Sequence, residues 1–423
     1  MNSFIIRGDI VYTTDKDTRV TSPDSYVVCK NGICRGVFEK LPDEYSDLPV
    51  HDYSGLLVMP GMVDLHIHAP QFAYRGLGMD MELLDWLENY AFKEEKKYRD
   101  LEYADRAYDM FAEAIRLSAT TRAVIFGTIY RQSNELLMEK MERTGIVSYV
   151  GKVNMDRNAP DIITENSERS VASTERFIDH TSGRYQNTYP ILTPRFVPSC
   201  SDTVLKGLGE LAERYNIPIQ SHLSENPDEI TWVSELCPDA AFYGDAYDRY
   251  GLFGSISKTV MAHCVYSTDE EIALMKERGV YIAHCPASNM NVASGIAPVR
   301  RYLDGGLHIG LGTDIAGGQT ESVFTSMVEA LQVSRLYWRI VDPGCKPLSF
   351  SEALYMATKG GGDFFGKVGS FEPGYEFDAI VIDDSQLPHP QVLDLAQRSE
   401  RAVYLNGDIK AMTAKYCRGN RIL

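Results

Sequence analysis

The segment GMVDLHIH (residues 61–68) is the stretch that decides the fold of this 423-residue chain. It is a short apolar run, typical of a buried strand, and it ends in two histidines separated by one residue. Seven further apolar runs follow it, with longer helical stretches between them. The eight runs end near His66, Thr128, Asn154, Arg195, His222, His263, His284 and Asp314.

The number and spacing of these runs predict a barrel. Eight strands that alternate with helices over roughly 250 residues are typical of a (β/α)8 TIM-type barrel. A doubly wound open sheet is the alternative, but no glycine-rich phosphate-binding sequence follows the first run. We therefore predict an α/β fold with the barrel over residues 60–365.

Both ends of the chain have a different pattern, with short runs of alternating apolar and polar residues. Examples are FIIRGDIVYT (4–13), FDAIVID (377–383) and RAVYLNG (401–407). Asn-Gly pairs, at Asn31-Gly32 and again at 406–407, predict hairpins. Since chain ends often lie close together, we expect residues 1–59 and 366–423 to form one small β-sandwich domain.

The interval after the first barrel strand is unusually long. It contains MELLDWLENYAFKEEKKY (residues 81–98), an amphipathic stretch that predicts an extra helix or a lid. For Trp86 in this stretch, and for Trp232, we expect a packing role rather than a place in the wall of a pocket.

Composition excludes several classes of partner. The chain has 42 Lys and Arg against 59 Asp and Glu, a net charge of −17. Nucleic acids and anionic membranes are bound through excess Lys and Arg, so neither is an expected partner. We find no apolar run that could span a membrane and no signal peptide, so we expect a cytoplasmic protein with eight reduced cysteines.

The histidines and one aspartate carry the functional signal. His66 and His68 are two residues apart on a strand, so both side chains point to the same face. His222, His263 and Asp314 end later strands, and a barrel brings these ends to one mouth, where active sites lie. Imidazole and carboxylate suit Zn²⁺ and also Fe²⁺, either of which acidifies a bound water.

Three residues near these positions have competing interpretations. Glu225 follows His222 closely and could move protons beside a metal, or it could be an ordinary acid in the first turn of a helix. Asp314 could bind the metal, accept a proton from water or cap a helix. For His284 we expect a structural or pocket-wall role.

Several segments together resemble the amidohydrolase superfamily. They are PGMVDLHIHAPQF (60–72), TPRFVPSCS (193–201), SHLSEN (221–226), MAHCVYS (261–267), AHCPASNMN (283–291) and GLGTDIAGG (310–318), with FEPGYEFDAIVID (371–383) similar to the strand that re-enters the terminal domain. The resemblance covers nearly the whole chain. It implies the barrel with its terminal β domain, and also a homodimer.

The same resemblance implies one catalytic zinc, with Fe²⁺ as the alternative. Its ligands would be His66, His68, His222 and Asp314. His263 would either join the ligands or orient the water. Binuclear relatives carry a carboxylated lysine at the end of strand four. Here Arg195 holds that place and Lys152 lies on strand three, which favours a single metal ion.

HAPQ (68–71), PRF (194–196) and SHLSE (221–225) resemble the purine-deaminating members of the superfamily. They imply hydrolytic deamination of guanine to xanthine and ammonia by a metal-activated water. Asp314 would accept the water proton and Glu225 would protonate the ring nitrogen next to the attacked carbon. The residues implied to contact the substrate are His68, Gln71, Arg195, Phe196, His222, Glu225 and Asp314.

The substrate contacts also make chemical sense. Arg195 can donate to the carbonyl oxygen at carbon-6, and a structural ion pair is its alternative. Gln71 offers a donor and an acceptor to the edge of a heterocycle. Phe196 can stack on the ring or pack in the core.

Two other readings stay open. The same chemistry could act on cytosine, an adenosine-type nucleoside or an s-triazine. The alternative from a different functional class is a non-catalytic barrel that serves as a scaffold. The His/Cys/Cys zinc deaminases are excluded, because their HxE and PCxxC signature does not occur in the sequence.

Overall fold

The strands form two groups in the computed structural model, which describes residues 2–423. They are β1 (Phe4–Thr13), β2 (Arg19–Lys30), β3 (Ile33–Phe38), β4 (Val50–Pro60), β5 (Met62–His68), β6 (Thr120–Phe126), β7 (Val147–Asn154), β8 (Thr188–Pro194), β9 (Ile219–Leu223), β10 (Thr259–His263), β11 (Tyr281–His284), β12 (His308–Leu311), β13 (Ala379–Ile382), β14 (Met412–Cys417) and β15 (Asn420–Arg421).

The strands β5–β12 form the barrel. Each pairs in parallel with the next along the chain. Past the strand ends, the amide of Asp314 donates to the His66 carbonyl at 2.8 Å, and the amide of His68 donates to the Ile315 carbonyl at 3.0 Å. These bonds join β5 to the segment after β12. The predicted eight-stranded barrel is confirmed, and each expected strand end lies within three residues of an observed end.

Helices follow the barrel strands and cover the outside of the barrel. The longer helices are Leu101–Leu117, Arg131–Thr144, Ser167–Thr181, Asp202–Tyr215, Pro227–Leu236, Asp269–Arg278 and Val323–Leu336. Shorter ones are Tyr243–Asp248, Pro286–Asn291, Val299–Asp304 and Phe350–Tyr355. The predicted helix after β5 is present as consecutive turns, Leu83–Trp86, Leu87–Ala91, Phe92–Glu95 and Lys96–Arg99. We call residues 83–99 the cover segment.

The other strands form a mixed sheet in the order β15-β14-β13-β4-β1-β2-β3. It contains strands from both ends of the chain, so the predicted terminal β domain is confirmed. Asn31 and Gly32 join β2 to β3 with positive φ angles of 56° and 77°, as the hairpin prediction requires. We propose domain limits of 1–59 with 366–423, and 60–365, although residue 1 lies outside the described part.

The expectation of an all-β C-terminal end is wrong for one segment. Residues Leu395–Tyr404 form a helix. Asp394 caps it and Gln397 completes a capping box, while Ala402 and Val403 are buried. Asn406 precedes a helical turn, Gly407–Lys410, and does not form the hairpin expected at 406–407. Capping and helical periodicity override the Asn-Gly signal here.

Buried polar contacts fasten the terminal sheet to the barrel. Arg122 on β6 donates to both carboxylate oxygens of Asp378, at 2.6 and 2.9 Å. The Lys415 ammonium on β14 is fully buried and donates to the carbonyls of Ile115, Arg116 and Ser118, at the end of a barrel helix. A cation at a helix C-terminus is also favoured by the helix dipole.

Two further observations concern the helices and the cysteines. Between residues 2 and 423, each helix is too short or too polar to cross a membrane. All eight cysteines are free thiols.

Replacing Asp378 by Asn should lower the free energy of unfolding by about 3 kcal/mol, because it leaves the buried Arg122 charge with only the partly exposed Glu376 as its partner. Urea denaturation followed by circular dichroism measures the change. The control is Asp24→Asn, which breaks a solvent-exposed pair with Arg7 and should lower the free energy of unfolding much less. Equal losses in the two variants would contradict this account of the domain contact.

Candidate active site

Four imidazoles converge at the mouth of the barrel. His66 and His68 project from the end of β5 to the same side, as their two-residue spacing predicts. The Nε2 atoms of His66 and His68 are 3.2 Å apart, and the Nε2 atoms of His68 and His222 are also 3.2 Å apart. His263 approaches from the end of β10, with its ring centre 5.4 Å from that of His66. All four side chains are buried or nearly so.

Hydrogen bonds on the far side of the rings orient two of these histidines. His222 Nδ1 lies 2.6 Å from the Arg195 carbonyl oxygen, and His263 Nδ1 lies 2.9 Å from Asn289 Oδ1. Both partners are acceptors, so each Nδ1 carries the proton and each Nε2 presents a lone pair to the cluster. Burial also lowers the pKa of His68 and His222 well below the usual value.

Asp314 completes the cluster from the segment after β12. Its Oδ1 lies 3.1 Å from His66 Nε2 and 3.4 Å from His68 Nε2, and its Oδ2 lies 3.8 Å from His263 Nε2. Burial alone would raise the pKa of Asp314, but its interactions with His66, His263 and His68 outweigh burial and hold this pKa below its usual range. The carboxylate is therefore ionised.

Local backbone strain is concentrated at these positions. His263 and Asp314 have φ angles of 73° and 48°, in the left-handed region that non-glycine residues seldom occupy. Such strain costs about 1–3 kcal/mol per residue and persists where surrounding contacts enforce it, often at functional sites. The left-handed backbone conformation at His263 and Asp314 directs both side chains into the barrel mouth.

The donor set fits a divalent metal ion. Several lone-pair nitrogens and a carboxylate oxygen face one another at 3.1–3.8 Å in a buried space, which is unfavourable without a cation between them. Two triads, His66-His222-His263 and His66-His68-Asp314, have ligand atoms within 4.8 Å of one another. Imidazole with one carboxylate is a donor set for zinc or iron(II).

Glu225 faces this cluster and does not cap the helix that follows it. Its Oε2 lies 3.4 Å from His263 Nε2, and its Oε1 accepts a hydrogen bond from Ser294 Oγ at 3.2 Å. The N-terminus of helix Pro227–Leu236 is capped by Asn226 and Glu229. Burial and the charge of Asp314 raise the pKa of Glu225 to about 8, so it carries a proton at neutral pH.

A cavity with about 410 Å³ of empty space, part of it open to solvent, lies beside the cluster. Its walls are formed by His68, Gln71, Leu83, Trp86, Leu87, Arg195, Phe196, His222, Glu225, His263, Ser288 and Asp314. The residues predicted to contact a substrate all lie in this wall. The cover segment supplies Leu83, Trp86 and Leu87, so residues 81–98 do lie over the site as the lid prediction expects.

Arg195 and Gln71 are held by a residue that sequence reasoning missed. Arg195 Nη1 donates to both carboxylate oxygens of Glu95, at 2.9 and 2.7 Å, and Gln71 Nε2 donates to Glu95 Oε1 at 3.0 Å. The ion-pair alternative for Arg195 and its place in the cavity wall are therefore both true. Glu95 lies in the cover segment, 100 residues from Arg195, and no local pattern connects the two.

A second missed residue is Asp64 on β5. Its fully buried carboxylate accepts from the Thr313 amide and hydroxyl, at 3.1 and 2.5 Å, and from the His66 amide at 3.2 Å. It thereby fixes the relative positions of the strands that carry His66 and Asp314. Its presence in VDLHIH, two residues before His66, is the only sequence signal that could have pointed to it.

The structure corrects the expectation for Trp86, which lines the cavity rather than only packing in the core. Its indole nitrogen donates to the Leu77 carbonyl at 3.3 Å. Trp232 is half-buried and packs edge-on against Phe196, with ring centres 6.4 Å apart.

Three other residues lie outside the donor set. Lys152 donates to Glu165 at 2.6 Å, so it is engaged away from the cluster. The thiol of Cys285 lies near His263 and Asp314, but burial raises its pKa well above the usual value and it stays protonated. His284 is buried beside a separate small cavity.

Comparison with known proteins agrees with this geometry. Residues 57–410 match the amidohydrolase family. The probable guanine deaminase of Schizosaccharomyces pombe is 41% identical over 366 residues, covering 84% of this chain and 69% of that protein. The guanine deaminase of Escherichia coli K12 is 35% identical over 404 residues, covering 92% and 89%.

Among solved structures, the guanine deaminase of C. acetobutylicum, with guanine bound in its active site, superposes with a TM-score of 0.97. It is 45% identical, and the match covers 100% of both chains. The sequence match, the shared fold and the histidine and aspartate cluster lead to the same conclusion. The chain belongs to the amidohydrolase family.

Proposed function

We propose that the chain catalyses the hydrolytic deamination of guanine to xanthine and ammonia. The observation that carries the proposal is the meeting, in one buried cavity, of a metal-ligand cluster, a protonated Glu225 and the guanidinium of Arg195. The first group suits activation of water, the second suits proton donation and the third suits binding of a carbonyl oxygen. The guanine deaminases that resemble this chain support the same substrate.

The metal we propose is one Zn²⁺ per chain, with Fe²⁺ as the alternative. His66, His68, His222 and Asp314 would hold it, and His263 would either join them or orient the water. When bound, such an ion lowers the pKa of water and so makes a hydroxide nucleophile accessible near neutral pH. The engagement of Lys152 with Glu165 supports a site for one metal ion rather than two.

The two carboxyl groups divide the proton transfers between them. Asp314, which is ionised, accepts a proton from the attacking water. Glu225, which is protonated, gives its proton to the ring nitrogen next to carbon-2 as the C–O bond forms. The proton held by Asp314 is then passed to the exocyclic amine, the C–N bond breaks and ammonia leaves. As the new carbonyl forms at carbon-2, the remaining proton on its oxygen returns to Glu225. One water is consumed and no other reactant is required.

Arg195, Gln71 and Phe196, in the cavity wall, would orient the substrate. The side-chain hydrogen bonds that Arg195 makes to residues 2–423 all come from Nη1, which leaves Nη2 and Nε for the carbonyl oxygen at carbon-6. Gln71 has a second amide hydrogen for the ring edge. Phe196 offers its face to the heterocycle.

Further parts of the proposal concern the setting of the enzyme. We propose a cytoplasmic homodimer that acts in purine catabolism or salvage on a small-molecule substrate. The net charge of −17 supports the absence of a nucleic-acid or membrane partner. Guanine is neutral, so no long-range electrostatic steering is needed.

Ammonia release from a panel of aminated heterocycles tests the substrate directly. Zinc-loaded protein should release ammonia from guanine at least about tenfold faster, as kcat/KM, than from cytosine, adenosine or an s-triazine. The reason is that Arg195 faces the position of a ring carbonyl. Fast turnover of another compound without turnover of guanine would refute the substrate, and no turnover of any would favour a scaffold.

Metal content tests the donor set. Elemental analysis of the purified protein should give about one zinc or iron per chain, and His68→Ala should weaken metal affinity by more than about tenfold. The matched control is His284→Leu, another buried histidine at a strand end but outside the cluster. Equal metal loss in both variants would refute the assignment.

Glu225→Gln tests the proton donor. The variant keeps the shape of the side chain but cannot cycle a proton, so kcat should fall about 10²–10⁴-fold while metal content stays at the wild-type value. Coupled assay of ammonia and elemental analysis on the same preparation give both numbers. Wild-type kcat in this variant would rule out the role.

A further inference from the structure

We propose that Glu95 is a positioning residue that determines recognition of the carbonyl edge of the substrate by Arg195 and Gln71. The inference rests on the proposed function, since it names how that site selects its substrate. Glu95 lies at the centre of a buried hydrogen-bonded group in which Glu95, Arg195 and Gln71 are 4%, 3% and 2% exposed. We call these three residues the carbonyl-edge group.

The contacts determine the orientation of both partners. Arg195 Nη1 is shared between the two Glu95 oxygens, so the hydrogens of Nη2 and Nε remain for other partners in the cavity that Arg195 lines. Gln71 donates to Glu95 through Nε2 and accepts from the Ala316 amide through Oε1 at 3.1 Å. Only one amide orientation of Gln71 satisfies both bonds, so its remaining N–H has a defined direction.

Charge is the second reason that Glu95 matters. A guanidinium buried without a counter-charge is strongly unfavourable, and it would also attract anionic ligands to the cavity. Glu95 neutralises Arg195 and leaves hydrogen-bond donors without a net charge. That combination suits a neutral heterocycle with a carbonyl oxygen.

The carbonyl-edge group also touches the metal-ligand cluster from two sides. The backbone carbonyl of Arg195 accepts from His222 Nδ1 at 2.6 Å. Ala316, which holds Gln71, lies two residues after Asp314. Glu95 thus relates the position of the substrate edge to the position of the metal ligands, which is the alignment that rapid hydrolysis needs.

Glu95 lies on the cover segment, so the same bonds fasten the cavity wall. Leu83, Trp86 and Leu87 of this segment line the cavity. Phe92 lies one turn before Glu95, and the Arg195 guanidinium is 5.2 Å from the centre of its ring. Breaking the ion pair should therefore loosen the segment over the site.

The chain offers a matched control in the preceding residue. Glu94 is also buried, at 6% exposed, on the same helical turn. Its carboxylate pairs with Lys97 at 2.6 Å and accepts from the Tyr103 hydroxyl, so it faces away from the cavity wall. Glu94→Gln removes the same charge from the same segment without altering the carbonyl-edge group.

The test compares guanine with 2-aminopurine, which has the reacting amine but lacks the carbonyl oxygen at carbon-6. In zinc-loaded protein, Glu95→Gln should lower kcat/KM for guanine about 10–100-fold, mainly through a higher KM, and that for 2-aminopurine less than about threefold. Glu94→Gln should leave the ratio of the two unchanged. Metal content should be wild-type in both variants.

A merely structural Glu95 would give a different result, because turnover of both purines would fall together. An unchanged guanine to 2-aminopurine ratio in Glu95→Gln would overturn the proposal, as would an equal change of ratio in Glu94→Gln. Wild-type protein that fails to deaminate guanine would refute the proposed function instead.

Hydrogen exchange gives a readout that does not depend on the substrate. In the metal-loaded protein, amides of residues 83–99 should exchange at least about tenfold faster in Glu95→Gln than in Glu94→Gln, because the bond to Arg195 is lost. Equal exchange in the two variants would contradict the positioning role whatever the enzyme's substrate proves to be.

Discussion

The crowding of unprotonated imidazole nitrogens and an aspartate in the barrel mouth is the constraint on which the rest of the structure depends. The Nε2 atom of His68 lies 3.2 Å from those of both His66 and His222, where a bound cation would offset the repulsion between unprotonated nitrogens. The barrel makes this arrangement possible because strands distant in sequence end at one face. Asp64 and the strained backbone at Asp314 hold it in place.

Around this cluster the protein keeps two carboxyl groups in opposite protonation states. Histidines hold Asp314 ionised, whereas burial beside that charge keeps Glu225 protonated. A site that needs one proton acceptor and one donor at the same pH is served by such a pair. The opposite wall, with Arg195 and its partner Glu95, adds hydrogen-bond donors without net charge. Together these features favour a neutral heterocycle with a carbonyl and an amine.

The sequence alone predicted the features that depend on a repeated pattern or on residues close together along the chain. The two-residue spacing of His66 and His68 predicted their common direction, and apolar runs predicted every barrel strand. Prediction from sequence failed where residues distant along the chain come into contact. Glu95 is an example, because its contacts depend on the cover segment folding over the mouth of the barrel. Prediction from sequence also misassigned Leu395–Tyr404, because an Asn-Gly pair outweighed a capping box that begins at Asp394. Only the structure distinguishes Glu225, which faces the cluster, from Glu229, which caps the helix that follows.

We propose that guanine binds with its amine-bearing carbon over the histidine and aspartate cluster and its carbonyl oxygen at Arg195. A crystal structure of the zinc-loaded Glu225→Gln variant with guanine tests it most directly. We predict one metal ion among His66, His68, His222 and Asp314, and the carbonyl oxygen within about 3 Å of the Arg195 guanidinium. Guanine bound with that oxygen toward the histidines, or outside the cavity, would contradict the account.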